Sequence, residues 1–161
     1  MDVLYQKIME RLNVNVEELR WIDLDQGQLE TPEDNYPVQF PCCLIDFTNV
    51  IWQNVGQQLQ AGDVTISLRI GFDIYEDTNN LSPEVSRNNG LLKLRLMNKI
   101  HHYIQGFSGE HFNRLNRIST VQEKREDGLK VYNLVYLTNM RDNNGMPSKG
   151  LINGLGLKIT T

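Results

Sequence analysis

The sequence predicts an α+β fold: a mainly antiparallel sheet with two helices packed on one face, a long β-hairpin and an extended C-terminal arm. Three observations predict it. From Val64 to Ile74 every even-numbered residue is apolar, while Thr65, Ser67, Arg69, Gly71 and Asp73 between them are small or polar. That period of two fits a strand and not a helix. Residues 4–12 and 92–104 instead carry apolar side chains at helical spacing. Finally, the strand-like stretches come in runs separated by the two helices, which is the order of an α+β layer fold.

Leu4, Ile8 and Leu12 recur four apart, Val3 and Tyr5 widen the stripe, and Asp2 stands where it caps the helix or meets its dipole; Asn13 closes it. A short strand follows over residues 19–24, then a polar, acidic, turn-rich loop over 26–36. Pro37 and Pro41 hold their predecessors out of the helical region, so 42–47 reads as a second strand continuing toward Val55. Gln57, Gln58 and Gln60 with Ala61, Gly62 and Asp63 form the predicted turn into the 64–74 strand. After a loop at 77–81, Ser82, Pro83 and Glu84 supply a capping hydroxyl, a proline at the first helical position and an acid in the first turn. The helix runs to about Gln105, buries Leu92, Leu96, Ile100 and Ile104, and stops at Gly106; Asn88, Asn89 and Gly90 weaken its start. Two strands, 113–123 and 129–138, complete the sheet, with Asp127 and Gly128 as the tight turn between them.

Residues 1–140 are therefore expected to form one domain and 141–161 a flexible arm rich in Gly and Asn. Leu155, Leu157 and Ile159 in the arm alternate with Gly156, Lys158 and Thr160, which is again a strand pattern.

The chain has 161 residues, of which 40% are hydrophobic and 22% charged, enough for one domain with a core of its own. No apolar run approaches the ~20 residues of a membrane helix and no leader is evident, so a soluble protein made in a cytoplasm, without a membrane partner, is expected. A net charge of −4 argues against a nucleic-acid coat, and no sequence-specific nucleic-acid partner is expected. The charge is uneven. Acids including Glu10, Glu17, Glu18, Asp23, Asp25 and Glu30 dominate the first forty residues, while Arg87, Lys93, Arg95, Lys99, Arg114, Arg117, Lys124 and Arg125 dominate 84–126. Such a split suits two solvated faces or head-to-tail contacts between identical copies.

No chemistry-bearing motif survives scrutiny, and no catalytic residue, cofactor or metal site is expected. His101 and His102 point about 100° apart on a helix and cannot share a metal, and His111 has no second ligand at a recognisable spacing. Cys42 and Cys43 point to opposite faces of a strand and read as small buried hydrophobes. Gly150, Gly154 and Gly156 follow Lys149 and precede a strand pattern, the reverse of a phosphate loop. A metal-dependent nuclease would need Asp46 and Glu123 as its acids, but Lys124 adjoins Glu123 and faces away, leaving Arg125 in the required place. Asp23 and Asp25 share a strand face and read as solvated.

Several local patterns together resemble the tail terminator, or tail completion, proteins of long-tailed phages and related minor tail and neck proteins. The residues are the helix from Leu4 to Leu12 leading into a short strand, and the Pro-bounded strand Tyr36-Pro37-Val38-Gln39-Phe40-Pro41-Cys42-Cys43-Leu44-Ile45-Asp46-Phe47. To these are added the long strand from Val64 to Tyr75 with its acidic loop, and the loop-then-strand from Phe107-Ser108-Gly109 to Arg125. The resemblance covers residues 1–140. It implies a homohexameric ring in a virion or prophage tail, assembled in the bacterial cytoplasm, whose partners are itself, the tail tube protein and a head completion or neck protein. The implied ring ends tube polymerisation and offers the surface on which the head docks. Candidate contacts are Gln53, Asn54, Gln57, Gln58 and Gln60 on the long hairpin, Arg69, Arg114 and Arg117, and Leu155, Leu157 and Ile159, which could add to a neighbour's sheet edge. A small nuclease and an unrelated adaptor domain are the alternatives.

Overall fold

The strand announced by the period-two pattern is the spine of the sheet. In the computed structural model, which describes residues 1–31, 37–56, 58–73 and 76–144, the chain begins with helix α1 (Asp2–Asn15), strand β1 (Trp21–Leu24) and a 3-10 turn (Gln28–Glu30). There follow β2 (Cys42–Gly56), β3 (Leu59–Phe72), helices α2 (Glu84–Gly90) and α3 (Leu92–Ile104), β4 (Asn116–Gln122) and β5 (Lys130–Asp142). The strands lie in the order β1-β2-β3-β5-β4; β1 runs parallel to β2 and every other pair is antiparallel. The expected α+β layers are present.

Alternation along β3 decides what lies on each side. Val64, Ile66, Leu68, Ile70 and Phe72 are buried and meet Leu4, Ile8 and Leu12 of α1 and Leu96, Met97, Ile100 and Ile104 of α3 in the main core. Register carries the pattern sideways: Ile45 lies opposite Leu68, which lies opposite Leu134, and Phe47 opposite Ile66, which lies opposite Tyr136. Arg11 tightens the helical layer by donating to the Tyr103 carbonyl and lying 4.4 Å above the Phe107 ring.

The second face is not simply wet. At one end Leu29, Cys42, Leu44, Leu129 and Val131 form a smaller buried cluster, with Val38 and Phe40 packed against it. The two adjacent cysteines thus fall into different cores, as alternation requires. Both thiols are free, and burial pushes Cys42 up to about 11.

Several predicted boundaries are corrected. Ala61, Gly62 and Asp63 are not turn residues but part of β3, paired with Gln53, Trp52 and Ile51. Gly62 is there because the Trp52 ring lies over it: a Cβ would sit 2.6 Å from Trp52 Cε3. The reversal falls instead between Gly56 and Leu59. The predicted single helix is two, broken at Gly90, and its cap is Pro83 rather than Ser82, with no side-chain capping bond. Its stop at Gly106, in the left-handed region at φ +74, is as expected. Asp127 and Gly128 do not form a two-residue turn. The connection spans 123–129, because the chain bends inward to bury Leu129 while Asp127 accepts from the Leu129 amide at 3.2 Å. Strand β5 continues to Asp142, past the predicted strand end at Thr138, because it pairs with β3 as far as Gln60.

Candidate assembly surface

On the second face, one arginine organises the ground around it. Arg69 is on the central strand and its side chain is only 16% exposed. A charge in that position must find partners. It donates to both Glu123 oxygens from Nε and Nη2, at 2.7 and 2.9 Å, to Asp25 from Nη1 at 2.8 Å and to Glu30 from Nη2 at 2.8 Å. Arg125 extends the cluster, reaching Asp127, Glu30 at 3.2 Å and the Leu29 carbonyl. The guanidinium of Arg69, then that of Arg125, holds the Glu30 carboxyl below its ordinary value. Together these groups strap residues 25–30 and 123–129 over the smaller core. Asp25, expected to be solvated, is therefore an internal ion-pair partner.

The same contacts place the acids weighed for nuclease chemistry. Glu123 is chelated by Arg69, a cation already occupying both its oxygens. His101 turns inward, its Nδ1 3.1 Å from the Tyr136 hydroxyl, and burial holds it below the usual histidine value.

The sheet's two lateral edges are unlike. At β4 all seven residues are exposed, with Ile118 at 57% and Val121 at 55%. Gln105 at the end of α3 accepts from the Arg117 amide and clips the start of that edge; from Ile118 onward no strand covers it among the described residues. The exposed Arg114 and Arg117 flank it. On the opposite side, β1 covers β2 only from Cys42 to Ile45. Beyond that the outer edge of β2 has no partner strand among the described residues, and the acids Glu17 and Asp23 lie on the β1 side. Charge on that side is mixed: Arg20 is exposed just before β1, and Glu18 is paired with Lys99 of α3 at 2.7 Å.

Of the predicted contact residues, Gln53, Asn54, Gln58 and Gln60 are exposed on the long hairpin, and Arg114 and Arg117 at the β4 edge. Arg69 is not with them; it is enclosed in the ion cluster. Gln57, Leu155, Leu157 and Ile159 lie outside the described residues. Sequence reasoning missed Arg125, Glu30 and Asp127 as a unit, although Arg69, the one charge inside the alternating apolar run before Asp73, was the available signal. It also missed the outward-facing Ile118 and Val121.

This geometry defines an α+β domain with a closed internal ion cluster and two chemically different open edges. No protein-family model and no curated protein matches the chain. Among solved structures it is similar to a chain of one described as "Virion of native gene transfer agent (GTA) particle". The TM-score is 0.49 at 7% identity, over 84% of this chain and 92% of that one. A likeness of that size carries no argument about function.

Proposed function

We propose that the chain is a structural subunit of a phage-like virion, forming a homohexameric ring at the head-proximal end of a tail tube. The ring ends tube growth and presents the surface on which the head docks. The sequence resemblance suggests this reading, and one observation carries it: among the described residues the open β4 edge, with Arg114 and Arg117, lies across the sheet from β1, which carries Asp23. Unlike edges of opposite charge suit a heterologous contact, the kind that closes into rings.

Native mass spectrometry over a wide concentration range, with and without assembled tube, tests it. A discrete hexamer is expected, alone or on the tube, and the double variant R114E/R117E is expected to abolish it while the subunit stays folded. A chain that stays monomeric under both conditions, or a hexamer indifferent to the charge reversal, overturns the reading.

A further inference from the structure

The connection between β3 and α2 presents apolar groups outward on a fixed frame. Leu81 is 88% exposed, the highest value for a large apolar side chain among the described residues, and Val85 is 74% exposed. A lone exposed leucine is ordinary; this one sits on a turn held from several sides. The Leu81 amide donates to Asn79 Oδ1 at 2.9 Å, the Ser82 amide to the Asn79 carbonyl at 3.2 Å, and the Ser86 hydroxyl to the Glu76 carboxylate at 2.7 Å. Gly90 packs against the base of the turn, where a Cβ would come within 2.5 Å of Thr78 Cγ2. Asp77 and Glu84 lie in the same segment, are exposed, and make no ion pair among the described residues. Residues 77–85 thus form an ordered apolar knob that carries two acids and has little freedom left to lose on docking.

The same chain holds a hollow of matching chemistry. Where the end of β3 meets α3, Pro41, Phe72, Leu92 and Leu96 line a cavity of about 570 Å³, within the size range of sites that enclose side chains or small ligands. Its lining also includes Arg20, Arg95, Lys99, Glu17 and Glu18. Lys99 is committed to Glu18 at 2.7 Å. Arg20 and Arg95 have no carboxylate partner among the described residues, Arg95 donating to Asn88 at 3.3 Å. Two uncommitted guanidinium groups against the single acid Glu17 leave the hollow with a positive excess. The exposure of Leu81 and Val85 shows that the knob does not fill the hollow of its own chain.

We infer that residues 77–85 of one copy seat Leu81 and Val85 in this hollow of a second copy, with Asp77 and Glu84 facing Arg20 and Arg95. The apolar pair leaves water for an apolar floor, which supplies the attraction, and the opposite charges around it select the partner and its orientation. Knob and hollow are unlike surfaces, so the contact is heterologous. Two copies suffice for it. It does not depend on the ring reading, whose contact lies at the β4 and β1 edges.

Sedimentation equilibrium tests it in the R114E/R117E background, where the ring contact is removed. That chain is expected to self-associate, and L81S/V85S and L92E are each expected to weaken the association at least about tenfold. Circular dichroism is expected to be unchanged in both, since all three side chains are exposed. An equimolar mixture of the two variants is expected to pair again, because one keeps the hollow and the other keeps the knob. A background chain that stays monomeric up to about 1 mM overturns the inference, including the case in which a segment of the same chain fills the hollow. Association indifferent to both variants, or a mixture no better than either variant alone, overturns it too. If L92E does not fold, R20E/R95E takes its place as the hollow variant on the same terms. Loss of the hexamer bears on the ring alone, and loss of pairing in this background bears on this contact alone.

Discussion

Replacing Arg69 by methionine removes the charge at the centre of the strap and keeps an apolar stem of similar length. Four hydrogen bonds from one guanidinium to three carboxylates are lost together. Asp25, 11% exposed, is left without the guanidinium, Glu123, 25% exposed, keeps only Arg125 at 3.6 Å, and Glu30, 55% exposed, keeps Arg125 at 3.2 Å. Breaking a buried ion pair by removing one partner costs about 3–5 kcal/mol. The residual exposure here screens the orphaned acids and puts the expected loss at the lower end, about 3 kcal/mol. Arg69→Lys keeps the charge without the planar fork and is expected to lose about 1–2 kcal/mol.

The assay is urea unfolding followed by circular dichroism, with hydrogen exchange on residues 25–31 as the local readout. A triple variant, Arg69→Met with Asp25→Asn and Glu123→Gln, removes the orphaned charges and is expected to recover much of the loss. A loss below about 1 kcal/mol for Arg69→Met would refute the strap. Assembly abolished with stability unchanged would instead make Arg69 an interface residue.

Three further outcomes follow from the same contacts. Gly62→Ala puts a methyl against the Trp52 ring, 2.6 Å from Cε3; it is expected to cost about 1–3 kcal/mol and shift Trp fluorescence, and a stabilised variant would contradict the packing. Acid should destabilise in two windows. His101 is held below 6.5, so the unfolded chain takes that proton first and stability falls as pH drops through and below 6.5. Glu30 and Glu18 are held below 4.5 by Arg69 and Lys99, so their contribution is complete above 4.5 and is lost as pH falls through their lowered values. Stability that stays flat from pH 7 to 3 in urea titrations would contradict both. Cys42 and Cys43 are fully buried, so thiol labelling at pH 8 should proceed only at the rate of unfolding, and labelling of the native chain within seconds would refute that burial.

What was legible in the sequence was whatever is governed by local periodicity. The alternation along β3 and the four-residue spacing of Leu4, Ile8 and Leu12 located the central strand, its buried face and the helical layer, because burial on one face imposes those periods directly. What was not legible depends on partners distant in sequence. Gly62 looks like a turn residue until Trp52 is seen lying over it. Asp25 looks solvated until β3 brings Arg69 beside it, 44 positions away. The Asp127-Gly128 pair has the composition of a tight turn, but the pull of Leu129 toward the smaller core outweighs the local preference. The assembly surface was legible as charge segregation and not as geometry. Only the structure shows that acids and bases of the two segments meet within the subunit, Glu30 with Arg125 and Glu18 with Lys99.

The difference between the two edges also bears on symmetry. A two-fold contact through β4 would set Arg114 and Arg117 of one copy against the same residues of the other, and like charges across an interface oppose pairing. A two-fold contact along β1 would do the same with Asp23. A contact between unlike edges brings the arginines of one copy to the acids of the next, and repeating it leaves each copy with both its edges occupied. Such a contact closes into a ring or continues as a helix according to its rotation alone. Salt is then the informative variable: assembly through the charged edges weakens as ionic strength rises, whereas pairing through the uncharged β2 edge does not.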